Sequence, residues 1–256
     1  MSNIDEALPY FTDDYDEAQQ ANGEIKVPEE YSSTMKSIAE SLCKRAFDLR
    51  KAINLSNESD INKSNNFMEK INNTFGSGDY YSSASYCFNL GVLLRKANFK
   101  ALDSINPEQM KKISSITKKA VESFNDRLEQ VNLTTLSELE AYIIVKERLL
   151  EAEETLSNAG SNISSDEIAY AVERYYSAVY WSEFFKVKGK KMQLDKEYLK
   201  AACYKKLAEA DERLNYAELY LPLEMQSAKD TIAEAQAFAS QENYKMCLFK
   251  ASFAKA

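Results

Sequence analysis

Six asparagines stand two residues before a serine or threonine: Asn54, Asn57, Asn62, Asn72, Asn132 and Asn162. That spacing is the acceptor pattern for N-glycosylation, a surface modification of exported proteins. A chain rich in Asn and Ser produces several such matches by chance. Four of the six nevertheless fall between residues 54 and 74, and the other two fall at expected inter-helix turns. The distribution suits an extracytoplasmic surface, with a cytoplasmic chain as the alternative.

The remaining reactive side chains exclude more than they offer. The chain has no histidine, so it contains no Ser-His-Asp or Cys-His nucleophile, no Glu-x-x-His di-iron signature and no His-containing zinc site. A nucleophile would need a lysine or carboxylate as its base. Lys250 near Ser252 is the nearest such pair in sequence, but positions two apart on a helix point in different directions. Other lysines fall on polar helix faces or in turns, where water keeps them protonated. Cys43, Cys87, Cys203 and Cys247 form no C-x-x-C pair and each lies in a helical apolar stripe. Buried free thiols are the expectation, and a disulfide between distant helices the alternative. Acidic runs such as "DDYDE" and "EAEE" are expected to be solvated faces. No catalytic residue, metal or cofactor is expected.

Aromatic chemistry is the other possibility. "GDYYSSASY" at 78–86 and "RYYSAVYW" at 174–181 crowd tyrosines among serines and alanines. Small residues allow a neighbouring helix to approach closely while rings fill the diverging ends, so packing is the expected role. A sharper possibility is a peptide-binding groove using Tyr176, Trp181 and Phe185.

The elements that must carry these residues are helical. The chain has 256 residues but only six glycines and four prolines, too few for the turns of an all-β protein. Apolar residues step by threes and fours almost throughout, as in Tyr31, Met35, Ile38, Leu42, Ala46, Leu49 and Ile53. Asn106-Pro107, "TLSE" at 135–138, "SSDE" at 164–167 and Asp195 are helix starts. The weaker stretch 55–75 still carries a helical stripe. Pro222 separates two helices near the end. The fold class is therefore all-α, with eight to ten helices. Net charge is −8, which disfavours nucleic acid; the basic "KVKGKK" at 186–191 is expected to be a solvated turn. No apolar run is long enough to span a membrane, and no signal-peptide pattern opens the chain.

Helices beginning near 28, 107 and 195 each precede a second helix and then a tyrosine-rich third. The spacing predicts a tail over 1–27 and a helical region over 28–256, made of three units near 28–103, 107–188 and 195–256. Tyr80, Tyr175 and Tyr244 are expected at equivalent places, as in a diverged helical repeat.

"SNIDEALPYFT" at 2–12, an acidic linker and then "VPEEYSSTMKSIAESL" resemble the junction that closes the protease domain of archaeal Lon-like serine proteases. The match covers about the first 12 residues; the rest resembles that family's helical C-terminal region only in style. The resemblance implies a non-catalytic accessory region of a membrane-associated, extracytoplasmic Ser-Lys endopeptidase. It would position substrate or assemble subunits. Its partners would be the upstream protease domain, substrate polypeptides or further copies. The family's "PSAG"-like serine turn is absent here, so no catalytic residue carries over. "FKASFAKA" at the end runs mid-stripe without a helix-stop signal, as expected of a longer chain. The alternative is a free-standing scaffold resembling tetratricopeptide proteins, binding partner peptides.

Overall fold

The computed structural model describes residues 29–158, 163–192, 194–220 and 225–255. The 1–27 tail with its 2–12 resemblance, Pro222 and Asn162 lie outside the described residues. Among them the chain is all-α, with nine α-helices, one 3-10 turn and no strand. The helices are α1 (Glu29–Ala52), α2 (Glu58–Gly76), α3 (Tyr80–Ile105), α4 (Pro107–Glu129), α5 (Leu136–Asn158), α6 (Ser165–Trp181), α7 (Lys196–Glu218), α8 (Gln226–Ser240) and α9 (Tyr244–Lys255). The 3-10 turn Ser182–Lys186 extends α6.

Local chemistry explains where these helices begin. Asn57, Asp79, Asn106 and Asp195 each accept a hydrogen bond from a first-turn backbone N–H. Pro107, at the first position of α4, has no N–H to leave unpaired. Ser164 and Glu167 form a reciprocal capping box. At α5, Thr135 Oγ1 accepts from the Glu138 N–H at 3.1 Å, while the Glu138 carboxylate accepts from the Thr134 and Thr135 N–H groups. Each cap contributes about 1 kcal/mol, so they set boundaries more than they hold the fold.

Burial holds it. Ile38, Leu90, Leu94, Val145 and Leu149 are all at most 1 % exposed and belong to one core running through α1–α9. Each such side chain contributes about 1.5–3 kcal/mol. A smaller cluster of Phe99, Met110, Ile168, Ala169 and Val172 joins α3, α4 and α6.

The cysteines are not free thiols. Cys43 bonds Cys87 and Cys203 bonds Cys247, each across a sequence separation of 44. An apolar stripe places a cysteine on a buried face of its own helix but does not specify which helix lies opposite. The first disulfide joins α1 to α3, the second α7 to α9, so each ties a helix to the second helix after it. The joined helices run parallel. Lys36 lies over the Tyr80 ring, and seven residues further along each helix Cys43 meets Cys87. Likewise Lys196 pairs with Glu242, and beyond them Cys203 meets Cys247.

The small residues of α3 have the expected effect. Ser83, Ala84 and Cys87 are buried, and the Cys43 and Cys87 Cα atoms approach to 4.8 Å. Tyr80 and Tyr244 open α3 and α9. Tyr175 does not open its helix: α6 starts at Ser165, and Tyr175 sits mid-helix against Phe124 and Tyr176. The capping box, rather than the tyrosine run, sets the start.

The segment 186–191 is more than a solvated turn. Its lysine side chains are exposed, but Met192 N–H donates to Thr134 O at 3.0 Å, and Lys191 forms an isolated antiparallel bridge with Thr135. A Cβ on Gly189 would stand 2.7 Å from Ser137 Oγ and 2.9 Å from Thr135 Cβ. Only glycine allows that approach.

Candidate functional site

The most polar feature of the core is a carboxylate held by two guanidiniums. Glu173, on α6, is 3 % exposed. Arg45, from α1, donates through Nε to Glu173 Oε2 and through Nη2 to Oε1, both at 3.0 Å. Arg95, from α3, donates through Nε to Oε1 at 2.8 Å. A buried carboxylate without such partners would be costly, and removing one member of a buried pair costs about 3–5 kcal/mol. The triad thus fastens α6 against α1 and α3. Room for it comes from Gly91 on α3, where a Cβ would stand 3.1 Å from Glu173 Oε2.

The guanidiniums also wall a cavity of about 510 Å³ between α3, α4 and α6. Arg45 lies 3.3 Å from the Tyr176 ring centroid and Arg95 5.4 Å from that of Phe99, so aromatic faces fix both planes. Tyr175, Thr117, Val172 and the exposed Ile116 complete the wall.

The three aromatics considered for peptide contact do not share one groove. Tyr176 lines the arginine cavity. Trp181 is buried beneath Tyr81, with ring centroids 5.9 Å apart, and lines a separate cavity of about 350 Å³ with Tyr31 and Tyr80. Phe185 packs half-buried against the main core. Arg148 lies 4.4 Å over Trp181, donating to Ser177 Oγ and to Ile144 O. Burial, aided by the Arg174 charge, pushes it down to about 10, so it stays protonated at neutral pH.

Among the sequon asparagines, Asn54, Asn57, Asn62, Asn72 and Asn132 are exposed. Asn57 caps α2 through its carbonyl oxygen, which leaves its amide nitrogen outward for modification.

Lysines depart from the expected pattern in two places. Lys146 is buried and donates to Glu129 and Asn125 at 2.6 and 2.5 Å. Lys245 sits 4.1 Å over the Tyr142 ring, and burial lowers its pKa. Both belong to a seam where α9 meets α4 and α5. Lys250 is no base for Ser252. Burial opposes its charge, but the Glu234 and Glu147 carboxylates outweigh that and hold it above the ordinary lysine value. No group of three or more His, Cys, Asp or Glu among the described residues is arranged to hold a metal ion.

Sequence reasoning passed over Glu173, Arg45 and Arg95. The available signal was an acid on the inward face of α6, in register with Ala169 and Ser177, which are both buried. A charge on such a stripe requires a partner. Compared with known proteins, the chain matches no family model, no curated protein and no solved structure.

Proposed function

We propose that this chain is a non-catalytic helical scaffold that acts outside the cytoplasm and holds a polypeptide rather than transforming one. The observation that carries this reading is the pair of helix-to-helix disulfides, Cys43–Cys87 and Cys203–Cys247. Such bonds persist in oxidising compartments. The exposed sequon asparagines support the same location. Stapling a helix to the second helix after it suits a rigid surface for binding. Of the nearest lysine–serine pair in sequence, Lys250 and Ser252, the lysine is held by the Glu147 and Glu234 carboxylates.

The resemblance of residues 2–12 gives this reading its specific form, the accessory region of a Lon-like serine endopeptidase. A free-standing peptide-binding scaffold is the other form. Reading the gene upstream of Ser2 separates them: an open frame running into a Ser-Lys protease domain supports the first, its absence the second. Mass spectrometry of alkylated native protein tests the shared claim, with all four cysteines expected to be blocked before reduction. Four free thiols would remove its main support. Peptidase activity in the isolated chain, abolished by a single Ser or Lys substitution, would overturn it.

A further inference from the structure

The arginine cavity is a wall of hydrogen-bond donors with few acceptors. Two guanidiniums carry ten N–H bonds between them. Glu173 takes three of these, and no other protein group accepts from Arg45 or Arg95 among the described residues. Both arginine side chains are largely buried, at 18 % and 15 % exposure, yet neither has a polar atom sealed from solvent without a partner. Their remaining N–H groups therefore reach solvent, and both arginines line this cavity, Arg45 also lining a neighbouring one with Asp48 and Tyr180. Among the described residues no group pairs with the Tyr175 or Tyr176 hydroxyl, and both residues line the cavity. Among the described residues no acidic one lines it. Arg45, Arg95 and Glu173 together leave one net positive charge.

The rest of the lining is apolar. Phe99, Ile113, Ile116 and Val172 surround the donors, and about 510 Å³ is enough for a side chain and its terminal group. Donors, net positive charge and an apolar surround together fit a carboxylate attached to an apolar group. A free guanidinium edge suits a carboxylate because it offers parallel N–H bonds. Glu173 holds the arginines without neutralising them, so their planes are set before a ligand arrives.

We infer that this cavity binds the C-terminal carboxylate of a polypeptide that ends in an apolar residue. The inference deepens the scaffold reading and rests on it. It names the end of the held polypeptide as the part recognised.

The test uses the whole chain with its disulfides intact. A fluorescein-labelled peptide ending in leucine as the free acid is titrated by fluorescence anisotropy beside the same peptide as its C-terminal amide. The free acid should bind roughly tenfold or more tightly, the usual effect of losing charge-assisted hydrogen bonds. Ile116→Asp places a negative charge at an exposed rim position and leaves the core untouched; it should weaken the free acid by a similar factor. Arg95→Lys keeps the charge beside Glu173 but removes the fork, and should also weaken it. Equal binding of acid and amide, both lost in Ile116→Asp, overturns the carboxylate inference and leaves the scaffold reading intact. Acetyl-leucine competing as strongly as the peptide overturns the polypeptide as occupant, and the scaffold reading loses this site. No binding of either peptide at millimolar concentration overturns the inference outright.

Discussion

Gly91 and Glu173 face each other across the contact between α3 and α6, and a Cβ on Gly91 would stand 3.1 Å from Glu173 Oε2. That oxygen is held by Arg45 and its twin by Arg45 and Arg95, so it has no easy direction in which to yield. Gly91→Ala should therefore destabilise the protein by about 1–3 kcal/mol, despite alanine's helix advantage of about 1 kcal/mol. In a Glu173→Ala background the same substitution should become stabilising. Urea unfolding of the four proteins in the cycle measures the reversal.

The disulfides should dominate stability. Each closes a loop of 44 residues' separation, and in the chain-entropy account a loop of that size is worth about 4 kcal/mol. Thermal unfolding with and without reductant should show a large drop. Cys43→Ala/Cys87→Ala and Cys203→Ala/Cys247→Ala variants should each account for part of it. A midpoint unmoved by reduction would mean that the helices hold without their staples.

Ser64 faces inward from α2 at 0 % exposure, and its hydroxyl has no hydrogen-bond partner among the described residues. Leaving such a group unsatisfied costs about 1–3 kcal/mol. Ser64→Ala should stabilise the unglycosylated protein by about 1 kcal/mol. The same change removes the Asn62 acceptor pattern, so a glycan on Asn62 should disappear from protein made in a glycosylating host.

Acid should weaken the α4–α5–α9 seam. Burial raises the Glu129 carboxyl, but the Lys146 hydrogen bond and charge, the Tyr142 hydroxyl and Lys245 together bring it below the ordinary glutamate value of 4.5. A carboxyl lowered on folding stabilises the protein above its unfolded pKa, and that contribution is lost as pH falls through the folded pKa. Urea midpoints measured between about pH 5 and pH 3 should fall more steeply for the natural protein than for Glu129→Gln. Glu129 is 43 % exposed, so solvent screening keeps the difference modest.

Features set by neighbouring residues were legible in the sequence. Asn106-Pro107, Thr135 with Glu138, Ser164 with Glu167, and Asp195 start helices because each cap involves residues within one turn. The apolar stripes of α1 and α7 followed from their spacing alone. Features that depend on distant chain segments were not legible. Cys43 and Cys87 meet only because α1 and α3 run parallel, although the equal separation of both pairs was there to be seen. Glu173 precedes the tyrosine run at 174–181, and only the folding of α1 and α3 against α6 brings arginines to it. Tyr175 misled because tyrosine is the first residue of α3 and of α9 but falls mid-way along α6.

The staples also govern how the molecule bears tension. Pulled from Glu29 and Lys255, the chain has an extended contour of about 800 Å. Each disulfide carries the load straight from one helix to the second helix after it, so residues 44–86 and 204–246 never enter the line of force. About 300 Å of slack is withheld. Reduction releases it, and with it the helix between each stapled pair. Oxidised, the chain can extend to about 500 Å under tension; reduced, to about 800 Å.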